Sequence, residues 1–214
     1  MQHRDDDTFP DCAYPGDCAL TEALRARALA RNQPIERSAS WREALPRAKS
    51  VRLLLLDVDG VLTDGGIIYG NDGLECKRFN TRDGLGIAML QENGIEVGII
   101  TARASEAVER RARELRLAHL VQGERDKLAS YEALLRQTGL RPPQTAYMGD
   151  DLIDLPLLNR AGLAASPADA VPEVRRRVHY VAQCRGGEGA VREVCDLILE
   201  AQGLLARACG RYDR

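Results

Sequence analysis

The sequence predicts an α/β protein built on a Rossmann-like parallel sheet with helices on both faces, and three observations carry that expectation. VRLLLLDV (51–58) is a continuous apolar run of the kind found in parallel strands buried on both sides. IEVGIIT (95–101) and TAYMG (145–149) repeat it. The segments between these runs carry helical periodicity, and alternation of strand with helix is the pattern of a parallel sheet covered on both sides.

The elements follow in chain order. Residues 1–45 mix turn formers with one short helix-like piece, ALTEALRARALARN (19–32), and a break at Asn32-Gln33-Pro34, so they read as an extension, with the main domain spanning 46–214. The run 51–58 opens the core. GGIIYGNDGLECKRFN (65–80) then interrupts the alternation, because two strand-like pieces flank Asn71-Asp72-Gly73, a turn sequence suited to positive φ. It predicts a β-hairpin inserted directly after the first strand. GIAMLQENG (86–94) and KLASYEALLRQTG (127–139) are helical patterns ending on glycine, where a left-handed cap is wanted. In SEAVERRARELRL (105–117), Val108, Ala112 and Leu115 recur at i, i+4 and i+7, while Glu106 and Glu109 stand four before Arg110 and Arg113. HLVQ (119–122), LAAS (163–166) and HYVA (179–182) are shorter strand candidates.

Composition narrows the function classes. The 214 residues are 44% hydrophobic and 29% charged, enough for one main core with a solvated surface. A net charge of −2 and a pI near 6.0 provide no basic field to hold nucleic acid. No apolar run approaches the roughly 18 residues that span a bilayer, and the start MQHRDDDTFP lacks the basic-then-apolar layout of a secretory signal, so a cytoplasmic protein without membrane association is expected. Six cysteines, Cys12, Cys18, Cys76, Cys184, Cys195 and Cys209, are scattered without a CxxC pair and are expected to be reduced thiols.

The chemistry-bearing residues gather at strand ends, where parallel sheets bind ligands. Asp57 and Asp59 close the first strand, and Gly60 follows to turn the chain. Thr101 closes IEVGIIT, putting a hydroxyl where it can meet a phosphoryl oxygen. Lys127 begins a helix, where the macrodipole disfavours a cation and a nearby anion would explain it. GDDLID places Asp150 and Asp151 after the third strong strand and Asp154 one helical turn on. Acids this close repel one another, and a divalent cation relieves that repulsion.

In order, DVDGVLTDG, the Thr of IIT, Lys127 and GDDLID match the four motifs of the haloacid dehalogenase superfamily of aspartate-nucleophile phosphatases, a resemblance spanning about residues 50–200. More narrowly, VRLLLLDVDGVLTDG, FNTRDGLGI, MGDDLIDLP and GGEGAVREVCDLIL resemble the phosphatases of 3-deoxy-D-manno-octulosonate 8-phosphate, whose setting is lipopolysaccharide precursor synthesis. The resemblance implies a haloacid dehalogenase core in which the hairpin stands in place of a large cap domain. It implies that Asp57 attacks phosphorus, that Asp59 is the general acid and base, and that Mg2+ sits on Asp57, the Asp59 carbonyl oxygen and Asp150. Thr101 and Lys127 would hold the phosphoryl group. Arg82, Asp83, Arg103 and Arg185 are the expected contacts to the sugar acid, since a guanidinium pairs a distant carboxylate in bidentate fashion. A homotetramer is also implied, with the hairpins central and the Gly-rich tail near Arg185 reaching a neighbouring site.

Two positions depart from the family pattern: Thr101-Ala102-Arg103 stands where Thr-Gly-Arg is usual, and Gly186-Gly187-Glu188-Gly189 where Gly-Gly-Arg-Gly is usual. Phosphatases of nine-carbon sialic-type acids share the DVDGVLTDG start and are the alternative within the enzyme class. Receiver domains also combine acids, Thr and Lys on a parallel sheet, but there the acidic pair precedes the nucleophile. A purely binding module would be expected to lose one motif residue, and none is lost.

Overall fold

The computed structural model describes residues 19–26, 36–71 and 75–212. Cys12, Cys18, the Asp72-Gly73 turn and part of the 19–32 piece lie outside them, while 19–26 is helical. A compact unit runs from Ser38 to Arg214. It begins earlier than the boundary expected at 45/46, which falls inside helix α1 (Ala39–Ala48). The physical reason is that Trp41, Ala44 and Ala48 are buried, and the Trp41 ring meets the Tyr180 ring edge-on at 5.7 Å. Ser38 starts α1 by accepting a hydrogen bond from the Trp41 N–H.

The unit then runs β1 (Leu53–Leu56), β2 (Ile68–Tyr69), β3 (Glu75–Cys76), α2 (Thr81–Glu92), β4 (Glu96–Ile100), α3 (Glu106–Glu114), β5 (His119–Val121), α4 (Lys127–Thr138) and β6 (Thr145–Met148). It closes with α5 (Leu155–Leu158), β7 (Leu163–Ser166), α6 (Pro172–Arg175), β8 (Tyr180–Val181), α7 (Ala190–Ala201) and α8 (Leu205–Gly210). Six strands form one sheet in the order β5-β4-β1-β6-β7-β8, every pair parallel. The expected α/β architecture is therefore present, and all six apolar runs are strands of it.

Alternation along β1 explains the two covering layers. Leu54 and Leu56 face a core shared with α1, α2, α3 and α7, whereas Leu53 and Leu55 face one shared with α4, α5 and α6. All four leucines are fully buried, each side chain contributing about 1.5–3 kcal/mol of apolar burial. β1 lies between β4 and β6, and the chain crosses from one side of it to the other only between β5 and β6. That reversal opens a crevice at the carboxyl ends of β1, β4 and β6. The inserted hairpin pairs β2 with β3 antiparallel, Ile68 opposite Cys76 and Tyr69 opposite Glu75, with Ile67, Ile68 and Tyr69 exposed.

Candidate active site

β1 delivers Asp57 to the crevice. Its N–H still donates to Met148 O of β6 at 3.0 Å, so the chain leaves the sheet in register, and its Oδ1 accepts the Val58 N–H at 2.7 Å. Asp59 follows in the same loop, and Gly60 turns the chain at φ +82°. A Cβ on Gly60 would lie 2.1 Å from Asp150 Oδ2, so glycine is what lets the loops after β1 and β6 meet. Asp57, Asp59, Thr101, Arg103 and Asp150 line one cavity of about 240 Å³, together with Gly65, Ala102, Asp151 and Ile153.

Beneath the cavity lies a buried ionic hub. Lys127, the first residue of α4, sets Nζ 2.8 Å from Asp57 Oδ2 and 2.7 Å from Asp154 Oδ1. Asp154 is wholly buried. Its Oδ1 also accepts from the Tyr147 hydroxyl at 2.6 Å, and its Oδ2 accepts the N–H groups of Asp150 and Asp151 at 3.0 and 3.2 Å. Burial alone lowers the pKa of Lys127, and the two carboxylates outweigh it, holding the ammonium above its usual range. The cation foreseen at a helix start is thus explained by two anions.

One carboxylate oxygen from each of Asp57, Asp150 and Asp154 lies within 4.8 Å of the others. Asp154 spends both oxygens on the hub, which leaves Asp57 and Asp150 to face the cavity. Burial, then repulsion by Asp154, pushes Asp57 up to about 6. Burial, then the charges of Asp154, Asp57 and Asp151, pushes Asp150 up to about 7. Negative charge therefore exceeds what Lys127 neutralises, and an all-oxygen donor set with surplus charge fits a hard divalent cation.

Thr101 follows β4 and is buried at the cavity wall, its N–H donating to Val121 O and its hydroxyl oxygen accepting the Arg103 N–H at 3.4 Å. Asp59 is met by two cations from other segments. Lys77, just past β3, pairs with Asp59 Oδ1 and lies 3.0 Å from Glu75 Oε1, while Arg103 places Nε 3.5 Å from Asp59 Oδ2 and Nη2 2.6 Å from Glu75 Oε2. Asp151 accepts the Leu152 N–H and caps the turn Leu152–Asp154.

Three expected site residues are not brought to this cavity within the chain. Arg82 donates to Glu188 O at 2.9 Å and lines a separate surface cleft with Asn80, Gly187 and Glu188. Asp83 is buried and accepts the Arg192 N–H at 2.8 Å, bonding the first turn of α7, and burial raises its pKa. Arg185 pairs with Asp169 at 3.1 Å. The residues that sequence reasoning did not assign are Lys77, Glu75, Tyr147 and Asp154. A tyrosine inside the apolar TAYM strand was a signal for the hub, whereas nothing in LECKRFN marks Lys77. Of the two departures, Ala102 lies at the cavity wall and Glu188 is exposed, using its backbone toward Arg82 and Arg185.

Comparison with known proteins agrees with this geometry. The haloacid dehalogenase-like hydrolase family model matches residues 116–193. The 3-deoxy-D-manno-octulosonate 8-phosphate phosphatase of Yersinia pestis is 50% identical over 168 residues, covering 78% of this chain and 90% of that protein. Its counterpart in Escherichia coli K12 is 48% identical over 169 residues, 79% of this chain and 90% of that protein. The Moraxella catarrhalis phosphatase, crystallised with magnesium, phosphate and the sugar acid, superposes with a TM-score of 0.78 at 42% identity, covering 80% of this chain and 98% of that one. On identity of this extent, the chain belongs to the 3-deoxy-D-manno-octulosonate 8-phosphate phosphatase family of haloacid dehalogenase-like hydrolases.

Proposed function

We propose that this protein is a magnesium-dependent phosphomonoesterase that hydrolyses 3-deoxy-D-manno-octulosonate 8-phosphate to the free sugar acid and phosphate through an aspartyl-phosphate intermediate. The observation that carries the reading is the Asp57 carboxylate, fixed by Lys127 at the end of β1 and facing a cavity that also holds Asp59, Thr101 and Asp150.

Asp57 attacks phosphorus, which divides hydrolysis into formation and breakdown of a covalent ester. Asp59 gives a proton to the departing sugar oxygen, then takes one from the water that attacks the aspartyl phosphate; such service is typically worth about 10²–10⁴-fold. Lys127 and the Thr101 hydroxyl offset charge on the phosphoryl oxygens. Asp57, the Asp59 carbonyl oxygen and Asp150 would hold magnesium, which would supply further electrostatic stabilisation to the phosphoryl group.

Arg103 is the guanidinium at the cavity; it is paired with Glu75 and lies near Asp59, and its 41% exposed side chain can still meet the sugar acid. Arg82 and Arg185 lie away from the cavity of their own chain; Gly186 and Gly187 pack on the Gly60–Asp64 backbone of that chain, and a homotetramer would let the exposed Arg185 and Glu188 beside them meet the site of the next subunit. The exposed Ile67, Ile68 and Tyr69 of the hairpin give such an assembly an apolar contact surface. No described helix is long and apolar enough to cross a membrane. The cytoplasm, and lipopolysaccharide precursor synthesis within it, is the setting that this chemistry fits.

The deciding measurement is kcat/KM with magnesium for the eight-carbon acid 8-phosphate, a nine-carbon acid 9-phosphate and a hexose 6-phosphate. The eight-carbon substrate is expected to lead. Equal efficiency on all three marks a generalist and overturns the assignment, and sedimentation showing an active monomer overturns the tetramer.

A further inference from the structure

We propose that Lys77 is the positioning residue for Asp59: with Glu75, on the β2–β3 hairpin, and Arg103, after β4, it forms a four-charge clamp that fixes the acid/base carboxylate against the leaving-group oxygen. The inference rests on the phosphomonoesterase reading above.

Asp59 lies in an irregular loop beyond the end of β1, so no strand ladder fixes its side chain. Each carboxylate oxygen instead meets a cation from another segment, Lys77 on Oδ1 and Arg103 near Oδ2. Glu75 completes the ring, one oxygen toward each cation, so that once Asp59 has given up its proton two anions alternate with two cations. The Lys77 side chain is 1% exposed, although the hairpin that carries it leaves Ile68 57% and Tyr69 67% exposed. A hairpin this open has no packing need to bury an ammonium. Taking that charge out of water is costly unless a carboxylate meets it with good geometry; Asp59 Oδ1 accepts its hydrogen bond, and Glu75 Oε1 lies 3.0 Å away as a second anion. Phosphoryl contact is already supplied by Lys127 and Thr101, so Lys77 is left to act on Asp59.

The clamp has a chemical consequence. As the P–O bond breaks, its electron pair leaves with the sugar oxygen, the Asp59 proton moves to that oxygen, and negative charge appears on Asp59 between the two cations. In the second step the same carboxylate, held in the same place, takes a proton from water. Misplacing such a group by an ångström costs about 10²-fold in rate.

A leaving group that needs a proton must feel the clamp more than one that does not. The test compares Lys77→Met with the parent on an alkyl phosphate and on p-nitrophenyl phosphate, both with magnesium, reading kcat and KM separately. Lys77→Met is expected to lower kcat by about 10²-fold on the alkyl ester and by about tenfold or less on the aryl ester. KM on both should stay within about twofold, and Lys77→Arg, which keeps the charge, should recover most of the alkyl rate. Glu75→Gln, which removes the shared anion and keeps both cations, should give the same pattern with a smaller loss, and it carries the test if Lys77→Met does not fold. Equal losses on the two esters overturn the proposal, and so does a rise in KM at unchanged kcat, which would make Lys77 a substrate contact. A parent protein inactive on both esters overturns the phosphomonoesterase reading itself; an active parent with indistinguishable variants overturns the clamp alone.

Discussion

Two substitutions four residues apart in GDDLID should change stability in opposite directions. Asp154 accepts four hydrogen bonds with no exposure: from Lys127, from the Tyr147 hydroxyl, and from the Asp150 and Asp151 N–H groups. In Asp154→Asn the amide NH2 must face one of these donor pairs whichever way it turns. Breaking a buried pair from one side costs about 3–5 kcal/mol, because the remaining charge stays buried. For a domain of this size that is a fall in Tm of about 6–20 °C. Asp150 is the contrary case. Its carboxyl is pushed to about 7 from an ordinary 3.8, so at pH 8 the metal-free protein carries an anion that its surroundings oppose. At about 1.4 kcal/mol per pKa unit the ceiling is about 4 kcal/mol, and partial solvent access reduces it to about 1–2. Asp150→Asn should therefore raise Tm by about 2–8 °C in chelator. It should also abolish the rise in Tm that magnesium gives the parent. The assay is thermal denaturation at pH 8 with chelator and with excess magnesium. If Asp154→Asn melts within about 3 °C of the parent, or Asp150→Asn is destabilised in chelator, the division into a structural acid and a metal-facing acid is refuted.

Asp57→Asn should fold and lose turnover by at least about 10⁴-fold, since an amide is a poor nucleophile toward phosphorus; comparable activity in a folded variant would end the Asp57 mechanism. The raised values of Asp57, about 6, and Asp150, about 7, set the pH response of the metal-free protein. Folded values above unfolded ones mean that the native state binds more protons between about pH 4 and 7, so stability without metal should fall as pH rises through that window. Magnesium must displace those protons, so its apparent affinity should weaken on going from pH 8 to 6; calorimetric titration at both values checks it, and equal affinities would refute it. Gly186→Ala places a Cβ 1.8 Å from the Gly60 carbonyl oxygen, and overpacking of this kind costs about 1–3 kcal/mol. Denaturant midpoints and kcat should both fall, and an unaffected kcat would show that the tail does not bear on the nucleophile loop.

The sheet was legible because its strands are short apolar runs that no helix period fits, and the positions of Asp57, Thr101 and Asp150 followed from where those runs stop. Helix α1 was not legible. Pro46 and the charged residues of SWREALPRAK hide the Trp41, Ala44 and Ala48 spacing that buries it. Lys127 could be placed from the conflict between a cation and a helix start. Its partner Asp154 could not, because sequence spacing marks which acids are close but not which of them turns inward. The clamp was out of reach for a related reason: Lys77 meets Asp59 only through the tertiary placement of the hairpin beside the loop after β1, a long-range contact that no local pattern encodes. Arg82 and Asp83 show the converse. They lie beside the hairpin in a motif with strong family resemblance, yet their contacts here run to Glu188 and α7.

In the tail, Gly186 and Gly187 press against the backbone from Gly60 to Asp64, and Gly187 donates to Val61 O, while the next residue, Glu188, stands in solvent and offers only its peptide groups inward. Spacing and charge are thus inherited separately along four consecutive positions. The glycines are answerable to the Gly60–Asp64 backbone that follows Asp57, where a Cβ has no room. Position 188 keeps its side chain in solvent and its contacts through the backbone, so its charge can reverse without disturbing the packing of the glycines beside it.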